Sequence, residues 1–482
     1  MTVQNNEWRQ DRLASERFRV LLPIGAAVLV GLLIATAVLG WGEVLSSAVF
    51  AGILVFLAAF LKPEWALIVV TIFAPLATVT MPMGTLLPGT GLTPLNALAL
   101  ALIIGTFMQR FSTREPAAPA TAIDRILLLY LAWSGLSVFT GIARWYFDSQ
   151  ALGEWLAMAC GYLMYWVVRR RWRSEKLAYA AIVTVLVMVL YEAFVVHRQY
   201  SGLDTSAFSW DLKDRILGTF LMGNANDIGC YLSVYSMVAL GLFLSMKNPL
   251  LRWPALFVFV VGAAATFETY SRASYFALMA GLVAITMVKH RRWLVPAVIA
   301  VIVVPSILPA SIQGRMDTTS DQSAQGRKEL WKHGLYEMMK NPTGLGWRGY
   351  SKNEAALGAT LKDPHNMYVL VGAEQGPVGF VLFLGLFMVM GKEILAAVER
   401  ARTPIAKGLG TGMFGALVAY GLNNVFGSRM VFFTNMQHFF FLLGLLVVLS
   451  KVPTGEAHVE VIEEPEEKAP RPVSPWRYRS YV

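Results

Sequence analysis

The sequence predicts an all-α polytopic integral membrane protein with about 14 transmembrane helices and one long extracytoplasmic loop. Three observations predict it. Hydrophobic residues make up 56% of the 482 residues and charged residues only 15%. The mean hydropathy is +0.53, well beyond a soluble composition. Apolar runs of roughly 20 residues, the length a helix needs to cross a bilayer, recur along the chain. One long polar stretch, 310–376, interrupts them.

The elements follow in order. Residues 1–19 form a cytoplasmic N-terminal segment, and 20–309 carries spans 1–11. These are Val20–Leu39, Val44–Leu61, Trp65–Thr80, Pro94–Met108, Ile126–Ile142, Leu152–Val168, Leu177–Val195, Ala225–Leu244, Trp253–Thr269, Ala273–Val288 and Trp293–Leu308. The loop 310–376 follows. Spans 12–14, in 377–450, are Pro377–Met390, Gly408–Val425 and Met436–Ser450. The tail 451–482 is acidic, then Pro-rich and basic, the composition of a disordered cytoplasmic segment. Ala35-Thr36-Ala37 looks like a signal-peptide cleavage site, but the apolar run before it is long for such a peptide.

Charge sets the orientation. With the N-terminus inside, most of the 41 Lys and Arg fall in inner segments, densest at Arg169-Arg170-Arg171-Trp172-Arg173. The short outer loops hold only Arg144, Arg198, Lys213, Arg215, Arg272 and Arg429. The positive-inside rule then puts both termini in the cytoplasm and the long loop outside. The same rule accounts for the net charge of +10 without a nucleic acid partner. Cys160 and Cys230 sit in apolar stretches and read as packing residues.

Ionisable groups in a membrane are costly and mark function more often than not. Glu154, Glu192, Asp227, Glu268 and Glu374 all fall near outer helix ends, as do Asn423 and Asn424. Each alone reads as interfacial snorkelling or structural pairing. Together they describe a polar cavity open to the outer face. A proton-coupled transporter would place such groups at mid-membrane. Within the loop, Arg327–Lys340 reads as a helix with Trp331, Leu335 and Met338 on one face, ended by Asn341-Pro342. It is expected on the membrane surface or over the site.

Four local patterns occur in order. Arg215-Ile216-Leu217-Gly218-Thr219-Phe220 precedes Gly223-Asn224-Ala225-Asn226-Asp227. Ser271-Arg272-Ala273 forms a tight outer turn between two spans. Gly326-Arg327-Lys328-Glu329-Leu330-Trp331 leads to Asn341-Pro342-Thr343-Gly344-Leu345-Gly346. Asp363-Pro364-His365-Asn366 leads to Glu374-Gln375-Gly376-Pro377-Val378-Gly379. This order, over roughly 215–390, resembles the O-antigen ligase family, whose relatives include O-antigen polymerases and bacterial protein O-oligosaccharyltransferases.

The resemblance implies a GT-C class glycosyltransferase of the bacterial inner membrane. Such an enzyme takes a glycan from a polyprenyl-pyrophosphate carrier on the periplasmic face, with no nucleotide sugar, metal or cofactor. The acceptor is lipid A core, a protein or another glycan. Arg215, Arg272 and His365 match the positions thought to serve catalysis. Arg327 matches a recurrent arginine, and Asn366, Glu374, Asn224 and Asn226 are the further substrate-binding candidates.

The residue chemistry agrees. Arginine grips phosphate oxygens with a planar, permanently charged fork. Preplaced cations stabilise charge building on a departing pyrophosphate. Histidine titrates near neutrality and suits a general base that takes a proton from a hydroxyl. No Asp-x-Asp pair offers metal ligands; Asp211-Leu212-Lys213-Asp214 has the wrong spacing.

Blander readings exist for each. Arg215 can pair with Asp214 or Asp211, and Arg272 with Glu268 four residues earlier if that helix continues. His365 can be an interfacial histidine capping the next helix, and Arg327 a headgroup anchor. Gly410-Thr411-Gly412-Met413-Phe414-Gly415 matches a dinucleotide fingerprint but lies in an apolar helix with no strand before it. Gly408 and Gly412 there suit close helix packing. At the level of function, a ligase and a polymerase share these patterns. A lipid-linked sugar transporter, or a non-catalytic part of a polysaccharide assembly complex, is the reading from another class.

Overall fold

The computed structural model describes residues 63–74, 94–113, 120–143, 149–172, 175–203, 216–219, 225–288, 291–316, 322–356, 363–431 and 433–451. Val20–Leu39 and Val44–Leu61, Arg215 and Asn224 lie outside them. The described residues form helices and their connections: α1 (Pro63–Phe73), α2 (Pro94–Thr113), α3 (Ala122–Ala143), α4 (Ser149–Arg171), α5 (Glu175–Ser201), α6 (Ala225–Ser245), α7 (Pro249–Glu268) and α8 (Arg272–Val288). Then come α9 (Leu294–Ile307), α10 (Ala310–Met316), α11 (Gln322–Lys340), α12 (Gly349–Ala356), α13 (Met367–Arg400), α14 (Pro404–Val425) and α15 (Phe433–Leu449).

Among the described residues, seven helices are long and apolar enough to cross a membrane: α3 to α7, α13 and α14. Shorter apolar helices lie at 98–108, 272–288 and 435–449. This is a helical membrane protein, as hydropathy predicts. Boundaries move where capping decides them. Asn248 accepts the Leu250 N–H at 3.0 Å and Pro249 opens α7, the favoured chemistry of a helix start. Thr403 caps α14 before Pro404 in the same way.

The centre of the bundle is α6. Nearly every residue from Ala225 to Leu242 is buried. It packs against α14, α7 and α8. Between apolar helices in lipid, close van der Waals packing replaces the hydrophobic drive. Small residues supply it here. A β-carbon at Gly241 would sit 2.2 Å from the Gly412 backbone nitrogen and 2.4 Å from the Gly408 carbonyl oxygen. The glycine pattern of α14 is therefore a helix contact, not a nucleotide loop. By contrast α9 is apolar yet exposes Val295, Val298, Ile299, Ile302 and Ile307. An apolar, exposed face of this kind is what a lipid-facing helix presents.

The two ends of the bundle differ. At one end Arg169 pairs with Asp124 at 2.5 Å, next to the arginine cluster closing α4. At the other end lie α10, α11 and α12 from the polar loop. That loop is tied down by α13, which runs from Met367 to Arg400 with a break at Gly376 (φ 70°, ψ −177°). The break strands carbonyls, because Pro377 has no N–H and Gly376 leaves the helical turn. The loop and a neighbouring span take them up. Leu345 donates to the Ala373 carbonyl and Gly346 to the Glu374 carbonyl, both at 2.9 Å. Trp133 Nε1 donates to the Gln375 carbonyl at 2.8 Å. The Gly344-Leu345-Gly346 motif thus seals a kinked helix.

The α11 helix forms where expected but turns differently. Leu330, Gly334 and Glu337 are buried, with Trp331 and Met338 half-buried, while Leu335 is exposed. Packing on α13, rather than apolar count, sets this face.

Candidate active site at the loop end of the bundle

The candidate residues that the structure describes gather at the loop end. Arg272 opens α8 after a three-residue turn, 269–271. The helix before it does not continue. It stops at Glu268, and Tyr270 takes φ 54°. Glu268 instead meets His197 Nδ1 at 2.9 Å. The geometry that would align Glu268 with Arg272 one turn later is therefore broken.

The Arg272 turn is held from several sides. Arg315 of α10, buried, donates from Nε to the Tyr270 carbonyl at 3.2 Å. The Tyr270 hydroxyl donates to Ser311 Oγ at 3.1 Å. Burial pushes that phenol up to about 12, so it remains a neutral donor. Ser274 Oγ bonds to Ser271 Oγ at 3.0 Å and donates to Asn423 Oδ1 at 3.2 Å. Asn423 in turn donates to Ser233 of α6 at 3.1 Å.

His365 is exposed and adopts φ 50°. Its N–H donates to Asp363 Oδ1 at 2.7 Å, and Ser428 Oγ donates to the same oxygen at 2.9 Å. Trp331 Nε1 fixes the Pro364 carbonyl at 2.9 Å, which ties the helix carrying Arg327 to this segment. Asn366 is buried. Its Oδ1 accepts from Tyr368 N at 3.0 Å and Val369 N at 3.2 Å, so it is the N-cap of α13.

A chain of neighbours joins the two parts. Ser428 precedes Arg429, whose guanidinium pairs with Asp227 in the buried interior. Asn424 Oδ1 accepts from Arg429 N and Met430 N, each at 3.1 Å. Asn423, its neighbour, reaches the Arg272 turn through Ser274. His365 and the Arg272 turn are thus linked through hydrogen bonds and adjacent residues although far apart in sequence. Asn226, half-buried, stands beside Asp227 at the start of α6.

Glu374 is buried at the end of the first part of α13, with its carboxyl close to the backbone of Arg348 and Tyr350 around the start of α12. Arg348 reaches across to Glu154 Oε1 at 3.1 Å and to Gln150 on α4. Glu192 accepts from Thr219 N at 3.0 Å and from its hydroxyl. Gln199 accepts from Leu217 N and Gly218 N, each at 2.9 Å. These two clamp the stretch that follows Arg215 in sequence.

Non-glycine residues with positive φ are uncommon and concentrate at functional sites. Among the described residues they are Tyr270, Arg348 and His365, all at this end. Sequence reasoning gave no role to Arg315, Arg348, Ser428 or Arg429. Their partners lie up to 202 positions away, so no local pattern could have named them. Among the described residues no group of three or more His, Cys, Asp or Glu side chains is placed to hold a metal ion.

The site lies at one end of a helical membrane bundle, where arginines and the three described positive-φ residues other than glycine gather. The family described as O-Antigen ligase matches residues 257–384. This segment holds Arg272, Arg327, His365, Asn366 and Glu374. The O-antigen ligase resemblance is thereby shown for this part of the chain, and members of that family are glycosyltransferase-like enzymes, ligases or polymerases. No curated protein matches the chain.

Proposed function

We propose that this protein is a metal-independent GT-C-like glycosyltransferase of the inner membrane. It moves a glycan from a polyprenyl-pyrophosphate carrier to an acceptor hydroxyl on the periplasmic face. The observation that supports this best is the network that ties His365 to the Arg272 turn, both in the family-matched segment, by way of Ser428 and Asn423.

In this reading His365 takes the acceptor proton as the hydroxyl oxygen attacks the anomeric carbon. The bond from that carbon to the pyrophosphate oxygen breaks. Arg272 and Arg215 hold the departing pyrophosphate, whose charge rises in the transition state. Arg327 steadies the donor or acceptor at the membrane surface. A ligase would use lipid A core or protein as acceptor, and a polymerase a second carrier-linked glycan.

The test is glycan transfer by purified protein in vesicles with a carrier-linked donor. His365→Ala should fold normally and lose roughly a hundredfold to ten-thousandfold in rate, the usual contribution of a general base. Arg272→Lys keeps charge but loses the fork, and its rate should fall sharply with protein level unchanged. Wild-type rates in both variants would overturn the assignment.

A further inference from the structure

The helix α11 has one face in use and one face not. Gly334 and Met338 sit against Val369 and Gly372 of α13; a β-carbon at Gly334 would lie 2.3 Å from the Val369 side chain. On the opposite face Leu335 is 46% exposed, Tyr336 59% and Met339 75%. Lys328, Lys332 and Lys340 are exposed on the same side. Glu329 pairs with Lys332 at 2.7 Å, so the face stays net positive. Lys340 Nζ stands 5.6 Å from the Tyr336 ring centroid.

The position of this face relative to a bilayer follows from α13. Beyond the kink at Gly376, α13 exposes Val378, Val381 and Met388, the pattern of a lipid-facing helix. The acyl region thus begins within about a turn of the kink. Val369 and Gly372 lie four to seven residues before Gly376, or roughly 6–10 Å along a helix axis. A helix with side chains is about 10–12 Å across, so α11 docked there spans the headgroup layer. A tyrosine between apolar and charged side chains is the residue expected at that depth.

We infer that the Leu335–Tyr336–Met339 face of α11 seats in the leaflet on the loop side, with Lys328, Lys332 and Lys340 binding anionic phospholipid headgroups. The apolar side chains enter the boundary between headgroups and acyl chains. The lysine stems lie along that boundary and their ammonium groups meet phosphate. The bilayer then braces the helix whose Trp331 fixes the Pro364 carbonyl beside His365.

Cysteine chemistry allows a direct test. Cys160 and Cys230 are buried, so Met339→Cys supplies the accessible thiol. The full chain carrying an environment-sensitive fluorophore there is reconstituted in phosphatidylcholine vesicles, with or without phosphatidylglycerol. The expected result is blue-shifted emission quenched by lipids labelled near the headgroup. Phosphatidylglycerol should deepen the quenching, and the Lys328→Gln/Lys332→Gln/Lys340→Gln variant should remove that dependence. Water-like emission without lipid quenching would overturn the inference and assign the face to an aqueous partner. Equal quenching with and without phosphatidylglycerol would overturn the anionic-lipid part.

Discussion

Asp363 Oδ1 accepts the backbone N–H of His365 at 2.7 Å while His365 holds φ 50°. A left-handed backbone at a non-glycine residue costs roughly 1–3 kcal/mol and persists only when neighbours hold it. Asp363 is one such neighbour, and Ser428 fixes it from the far side. Removing the acceptor should release His365. Asp363→Ala is expected to slow transfer about fivefold, the worth of one hydrogen bond near 1 kcal/mol. Asp363→Asn keeps the oxygen and should retain most of the rate. Kinetics of the two variants side by side, with melting temperatures unchanged, check this.

Gly376 should tolerate no side chain. Its φ is 70°, and a β-carbon would lie 2.2 Å from the Pro342 carbonyl oxygen. The backbone penalty is about 1–2 kcal/mol and the overpacking penalty about 1–3. Gly376→Ala should therefore lower stability by roughly 2–5 kcal/mol. Thermal denaturation in detergent, with protease cleavage in 341–348 as a second readout, measures it.

Asp227 and Arg429 form a buried pair with side chains 7% and 6% exposed. Removing one partner leaves an uncompensated charge, at a cost of about 3–5 kcal/mol. Asp227→Ala should be strongly destabilised. The double variant Asp227→Leu/Arg429→Met should recover much of that loss, because a well-packed apolar pair avoids the desolvation penalty. A double variant as unstable as the single one would show that the pair also organises Asn424 and its contacts.

Orientation rests on charge alone and has its own experiment. A reporter active only in the periplasm should give signal when fused after Ser323. Fusions after Arg171 and Lys468 should be silent. The opposite pattern would place the Arg272–His365 end in the cytoplasm.

The sequence by itself determined the helical membrane class, the polar loop and the order of motifs. Apolar run length and charge are local properties, so α6 at Ala225–Ser245 falls where hydropathy puts it. The cap of α13 is Asn366, a substrate-binding candidate in the sequence, and not His365, the residue read as a possible cap. Tertiary structure decided what those polar residues hold. Arg348 reaches Glu154, Arg429 finds Asp227, and Leu345 and Gly346 seal the break at Gly376. The reason is physical. In a membrane interior every stranded carbonyl and charge must find a partner, but which partner it finds depends on how distant helices pack.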